Sequence, residues 1–333
     1  MEMQSKRNLK RNAVLGVLKE VPGPLSSRQI VERLMAGGQD LSERSVRLYL
    51  RELEEHGHVE SLGRKGRIIT EEGRRSAHVN NLMQRVGFMS AKIDQIIYQM
   101  DFDLATRSGS VVVNLALIPR EAFNRYLPEV ISVFERGYAM GQLAGVLRAG
   151  EKLGDTVVPE GMIGFCPVCS ITLNGVLLKH GVPIRMLFSG LFEYADGRPR
   201  RFKELINYEA TSIDPLELFI KGRMTNYIGA ITDGCGTIGA GFREIPAQSR
   251  DLVQSLAKKL DDIGLGAFLE VGMPNRTLFN VPVNDGCCGV VVIGGLNPVA
   301  IFEEHGVSVQ LHALSGLMEY NRLVHYSQLE ELQ

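Results

Sequence analysis

Three features of the sequence predict a mixed α/β chain of the α+β type, built from two dissimilar parts. The first 75 residues show three short helical periods and then a β-prone hairpin. The last two-thirds repeat themselves in collinear order, with β-prone runs alternating with amphipathic helices. A heptad-patterned stretch joins the two parts. With 333 residues, 44% of them apolar, the chain is long enough to bury two or three ordinary cores.

From Asn8 to Val21, apolar Leu9, Ala13, Val14, Val17 and Leu18 recur at helical spacing, and Pro22-Gly23-Pro24 stops the helix. Ser26 or Ser27 caps a second helix carrying Ile30, Val31 and Leu34, which ends at Gly37-Gly38. Ser42 caps a third, with Val46, Leu50 and Leu53 inward and Gly57 at its end. Two short strands follow, His58 to Leu62 and Arg67 to Thr70, joined by the basic tip Gly63-Arg64-Lys65-Gly66. Three helices and such a hairpin define a winged helix-turn-helix over residues 1–75.

Turning the apolar stripe of the third helix inward leaves Ser42, Arg44, Ser45, Arg47 and Arg51 facing out, with Arg64, Lys65 and Arg67 on the wing. Arg forks address guanine edges or phosphates, and Ser hydroxyls address phosphates, so these eight residues are the candidate contacts to double-stranded DNA. The alternative is that the arginines only solvate an exposed helix face. The whole arrangement of three helices and a basic hairpin favours the first reading, and charge agrees with it: residues 1–75 carry 15 Lys+Arg against 11 Asp+Glu, and the remainder 22 against 27. A basic head is joined to an acidic body.

Residues 76–107 read as a helical connector. Val79, Val86, Ile93 and Met100 fall seven apart, with Leu82, Met89 and Ile96 between them, although Gly87 interrupts the pattern. Such a stripe either forms the seam of a homodimer, setting two heads on a two-fold operator, or packs against its own domains.

Residues 108–333 form one sensor domain with repeat units at 108–196 and 234–322. Ile118-Pro119 recurs as Ile245-Pro246, Gly137 as Gly264, His180-Gly181-Val182 as His305-Gly306-Val307, and Leu173-Asn174 as Leu296-Asn297. Ser189-Gly190-Leu191-Phe192-Glu193-Tyr194 recurs as Ser315-Gly316-Leu317-Met318-Glu319-Tyr320, so the spacing stays within 123–127 residues. Each copy reads βαββαβ, opening on Val111 to Ile118 or Thr237 to Ile245. The Gly-rich stretch Cys288 to Glu304 is assigned as the second helix of the second copy by analogy with the first, since composition leaves its first half open between helix and strand. Two related units packed about a pseudo-two-fold axis leave a cleft between them, a default ligand site. Three loops carry glycine and cysteine together: Gly164 to Ser170 with Cys166 and Cys169, Asp233 to Thr237 with Cys235, and Asn284 to Gly289 with Asp285, Cys287 and Cys288.

Five cysteines are an odd number, and all lie between Cys166 and Cys288, so reduced thiols are expected rather than a disulfide framework. Cys166-x-x-Cys169 permits zinc or dithiol chemistry, but no second pair exists, and Cys235, His180 or His305 would have to complete a site. No metal or cofactor is expected. No nucleophile elbow, Walker loop, zincin helix or dinucleotide fingerprint occurs, so no catalytic residue is assigned and the chain is read as a non-enzyme. The absence of a run of about 20 apolar residues, or of an apolar leader, points to a cytoplasmic chain that does not engage membranes.

Arg85-Val86-Gly87-Phe88, Val111-Val112-Val113-Asn114-Leu115, Asp233-Gly234-Cys235-Gly236-Thr237 and Gly294-Gly295-Leu296-Asn297-Pro298 in combination resemble the NrpR family of nitrogen-regulatory repressors, known chiefly from methanogenic archaea. The resemblance covers essentially the whole chain. It implies a repressor of nitrogen-assimilation and nitrogen-fixation genes that 2-oxoglutarate releases from its operators. Some family members carry two tandem sensor domains and this chain has room for one, which leaves open whether it acts as a homodimer alone or with a second, sensor-only subunit. A dianionic effector requires two carboxylate sites, supplied by the Gly/Cys loops together with Thr172, Ser189, Thr237 or an Arg such as Arg185, Arg223 or Arg276. Two competing readings are a repressor that senses metal or oxidant through its cysteines, and an enzyme with a fused DNA-binding head.

Overall fold

The computed structural model describes residues 10, 11, 13–19, 21, 23–36, 41–74 and 89–332, in two compact units, Met1–Gly87 and Phe88–Gln333. In the first unit, helix α1 (13–19) precedes α2 (Ser27–Ala36) and α3 (Glu43–Glu55), and strands β1 (Val59–Ser61) and β2 (Arg67–Ile69) complete it. Val14, Leu15, Leu18, Ile30, Leu34, Val46, Leu50 and Leu53 form its core, the apolar positions that helical spacing singles out. Ser42 caps α3 as expected, accepting from the Ser45 N–H at 3.2 Å. Leu25 adds a third strand by exchanging backbone hydrogen bonds with Arg67, both 2.9 Å. Only glycine fits at Gly66, where φ is +105° and a Cβ would lie 2.5 Å from the Leu25 carbonyl oxygen. The hairpin is thereby stapled to the helices as a wing.

The second unit opens with α4 (Met89–Gln99). Its first repeat contributes β3 (Ser110–Pro119), α5 (Arg120–Glu135), β4 (Leu143–Leu147), the small hairpin β5 (Lys152–Leu153) and β6 (Thr156–Val157), then β7 (Met162–Pro167), α6 (Ile171–Lys179) and β8 (Arg185–Ala195). Between the repeats lie β9 (Arg198–Asn207), α7 (Pro215–Lys221) and α8 (Tyr227–Thr232). The second repeat supplies β10 (Gly236–Pro246), α9 (Arg250–Asp261), β11 (Phe268–Val271), β12 (Cys287–Ile293), α10 (Ala300–Glu304) and β13 (Gln310–Glu319), and β14 (Val324–His325) follows. The βαββαβ order therefore holds in both copies. Gly137 and Gly264 terminate α5 and α9 in the left-handed region, at φ +71° and +76°, which explains why they recur.

The analogy that made Cys288 to Glu304 a single helix is corrected. Cys287–Ile293 is a strand paired with β10 on one side and β11 on the other, and only Ala300–Glu304, behind a short 3-10 turn, is α-helical. Its continuous Val-rich run belongs to a strand buried on both faces, a pattern that periodicity does not separate from a buried helix.

Sheet topology shows how the copies combine. One five-stranded antiparallel sheet has the order β13-β3-β7-β4-β14 and the other β11-β12-β10-β8-β9. The last strand of each copy thus crosses into the other copy's sheet: β8 pairs with β10, and β13 with β3. The recurring Ser-Gly-Leu-x-Glu-Tyr block lies on these exchanged strands, Glu193 opposite Thr237 and Glu319 opposite Ser110. One continuous core runs through both copies, with Phe123 of the first stacked on Phe302 of the second at 6.2 Å. The two copies are therefore interlocked rather than apposed across an open cleft.

The described half of the heptad stripe is spoken for within this unit. Met89, Ile93, Ile96 and Met100 are buried in the same core, α4 packing on α6 and β13. These four are not available as a dimer seam, while Val79, Leu82 and Val86 lie outside the described residues.

Candidate DNA-reading face and effector site

On α3, Val46, Tyr49, Leu50 and Leu53 are buried, which turns Arg44, Arg47 and Arg51 outward along one exposed stripe. Arg44 and Arg51 have no ion-pair partner among the described residues. Arg47 is braced instead. Its Nη2 donates to Glu43 Oε1 at 2.6 Å and its Nε to Ser27 Oγ at 3.3 Å, tying α3 to α2. The hydrogen bonds from Ser27 and Arg47 hold the Glu43 carboxyl below its usual range. Ser42 and Ser45 share a 2.9 Å hydroxyl contact at the start of the helix, beside the stripe. On the wing, Lys65 is exposed, and Arg64 contributes its backbone to the turn, its side chain lying outside the description. Arg67, expected to face DNA, pairs back onto Glu54 of α3 at 3.3 Å, so it fixes the wing's angle.

The residues expected to meet an effector do not converge as a set. Thr237 and Asn284 stand at opposite ends of β10, since Asn284 bonds Glu244 through its backbone N–H (2.9 Å) and through Nδ2 (2.9 and 2.8 Å). Glu244 lies seven residue steps along the strand from Thr237, roughly 23 Å at strand rise, too far for one small ligand to touch both ends. Asp233, Cys235 and Asp285 are exposed, Cys287 is half-buried and Cys288 is buried in β12. Cys235 Sγ accepts from the Asp196 N–H at 3.4 Å. Cys166 and Cys169 are buried, and burial pushes both thiols up to about 12, which keeps them protonated and poorly nucleophilic near neutral pH. Among the described residues, no group of three or more His, Cys, Asp and Glu side chains is placed to hold a metal.

Cys169, Thr172 and Ser189 do come together around a polar layer that sequence reasoning missed. Thr172 Oγ1 is saturated by Val112, donating to its carbonyl and accepting from its N–H, both 3.1 Å, which pins α6 to β3. Ser189 Oγ shares a 2.5 Å hydrogen bond with Tyr208 OH. Between them Arg243 of β10 reaches across to the first copy, its Nη1 donating to the Ser170 carbonyl (3.1 Å) and to Asn174 Oδ1, its Nη2 to Ser170 Oγ (2.9 Å). Its neighbour Glu244 points to the opposite face, where Arg185 meets it at 3.2 Å. Asp214 caps α7 in the same region, and burial pushes its carboxyl from 3.8 up to about 6. The available signal was the pair Arg243-Glu244 inside an otherwise apolar strand run.

Beside this layer lies a cavity of about 550 Å³, walled by Ile93, Ile97 and Tyr98 of α4, Asn174 and Leu178 of α6, and Tyr208, with Arg185 also lining it. Its size suits a small ligand, and its lining is mainly apolar with a few polar groups.

A capped reading helix, a stapled wing and an interlocked α/β domain carrying a ligand-sized cavity define a winged-helix transcription regulator with a regulatory domain. The description "NrpR regulatory domains NRD1 and 2" matches residues 86–325, and "Ribonuclease R winged-helix domain" matches residues 12–76. The chain belongs to the NrpR family. It is 29% identical over 310 residues to the Global nitrogen regulator NrpRI of Methanosarcina mazei, covering 93% of this chain and 95% of that protein. It is 30% identical to the Global nitrogen regulator NrpR of Methanococcus maripaludis, of which it spans 54% of the length. A crystal structure of a nitrogen repressor-like protein from Methanococcus jannaschii superimposes with a TM-score of 0.60 at 25% identity, covering 71% of this chain and 97% of that one.

Proposed function

We propose that this chain is a cytoplasmic, non-enzymatic repressor that binds operator DNA of nitrogen-assimilation and nitrogen-fixation genes and is released by 2-oxoglutarate. The DNA half of the reading is carried by the exposed Arg44/Arg47/Arg51 stripe on a capped helix, flanked by a basic wing. An outward helix of this kind inserts into the major groove, where its arginines meet guanine edges and phosphates. The effector half is supported by the family match over residues 86–325 and by the cavity beside α4. The active species is a homodimer on a two-fold operator, alone or with a sensor-only subunit of the same family. Moving such a repressor from about 1:99 to 99:1 between states takes roughly 5.5 kcal/mol of differential effector binding.

The DNA claim is tested by fluorescence anisotropy on operator duplexes from 50 to 300 mM salt. Affinity should fall with a log–log slope of about −0.9 per phosphate neutralised. A salt-independent interaction contradicts the reading.

A further inference from the structure

The core of the first unit takes every apolar or aromatic side chain of α3 except one. Val46, Tyr49, Leu50 and Leu53 are buried, whereas Leu48 is 47% exposed. On an amphipathic helix the positions left outside the core are ordinarily polar. Successive helical residues turn by about 100°, so the positions pointing most directly away from the buried four are Arg44, Leu48, Arg51 and, at the helix end, Glu55, all of them exposed. Arg47 stands to one side of that line, held there by Glu43 and by Ser27 of α2. The middle of the reading face is therefore a leucine, a residue that the search for cationic contacts passes over.

A lone exposed leucine is ordinary on a protein surface, and its setting decides what covers it. Arg44 precedes Leu48 by one turn and Arg51 follows it by one, and neither has an ion-pair partner among the described residues. An apolar protein surface closing over Leu48 would strip water from two unpaired guanidinium groups, which is unfavourable. The major groove of a duplex makes no such demand. Its rims are phosphates that meet the cations, and its floor offers one apolar group, the C5-methyl of thymine. Charge complementarity thus selects the groove as the occupant of this face.

We infer that Leu48 is a specificity-determining residue that packs on the C5-methyl of a thymine in the major groove, while Arg44 and Arg51 hold the helix on flanking guanine edges or phosphates. The inference rests on the DNA-binding reading above, and adds which base the middle of the helix selects and by what contact. The selection is apolar. Uracil in place of that thymine keeps every hydrogen-bonding atom of the base pair and removes only the methyl, so the contact is separable from readout by hydrogen bonds.

The test begins with the duplex that the intact protein enriches from a random-sequence pool, remade with deoxyuridine in place of thymine one position at a time. Anisotropy titrations then give Kd for wild type and for Leu48→Ala on each duplex. In wild type, uracil at one or more positions should raise Kd about threefold to fivefold, the worth of one buried methyl. In Leu48→Ala the thymine duplex should bind more weakly and the thymine-over-uracil ratio at those positions should fall to about one. The side chain is exposed, so the substitution should leave the melting temperature unchanged; if it does not, Leu48→Gln, of similar length, takes its place. The wild-type uracil scan needs no variant at all. Indifference of wild type to uracil at every position, or a ratio that the Leu48 variant leaves unchanged, overturns the Leu48 assignment, and salt-sensitive binding of the selected duplex then leaves the DNA-binding reading standing. Enrichment of no duplex overturns both.

Discussion

At the scale of single residues, the side chains divide into those that hold the protein together and those left free to meet a partner. Arg51 is exposed and without an ion-pair partner among the described residues, so Arg51→Ala should leave the melting temperature unchanged while weakening operator binding by about 1–3 kcal/mol, read by anisotropy. The thiols give a second check. Cys235 should react with a thiol reagent in the native protein, whereas Cys166, Cys169 and Cys288 should stay silent until denaturant is added. Asp214 gives a third, through pH. Its carboxyl, raised to about 6, holds its proton more tightly folded than unfolded, so its contribution to stability declines as pH rises from about 4 to 6. Asp214→Asn keeps a capping oxygen but does not titrate, so its stability relative to wild type should increase over that window in denaturant melts. A constant difference across that range would show that the carboxyl titrates normally. The outward arginines of α3 were legible in the sequence because a helix fixes which positions face away from an apolar stripe. Arg243 was not, because its partners Ser170 and Asn174 lie some seventy residues away in the other repeat.

At the scale of elements, local chemistry was readable wherever it was self-contained. The cap at Ser42, the wing from Val59 to Ile69 and the helix-ending glycines of the repeats follow from residues within one turn of each other. The stretch Cys287–Ile293 failed for the opposite reason: an apolar run buried on both faces has no period to read, and only its neighbours β10 and β11 make it a strand. Arg67 has a partner that no local signal announces, Glu54 of α3 at 3.3 Å. The reading helix depends on its buried side. Leu50 is fully buried in the core of the first unit, and Leu50→Ala should cost about 2–5 kcal/mol of that unit's stability, seen as an earlier chemical-denaturation midpoint for its transition.

At the scale of the whole molecule, the duplication was plain in the sequence but its consequence was not, since no local signal says which sheet a terminal strand joins. Exchange of β8 and β13 makes each sheet depend on both repeats. Residues 108–196 produced alone should therefore fail to fold, lacking the β13 that flanks β3 and the β10 that flanks β8, whereas residues 88–333 should unfold in one cooperative step by calorimetry. The same interlocking makes the regulatory unit a single body whose cavity adjoins α4. The most direct measurement is a mobility-shift titration of an operator duplex with the intact protein, with and without millimolar 2-oxoglutarate. The account predicts salt-sensitive, sequence-preferring binding that the metabolite releases; binding of every duplex alike, or equal affinity with and without the metabolite, would contradict it.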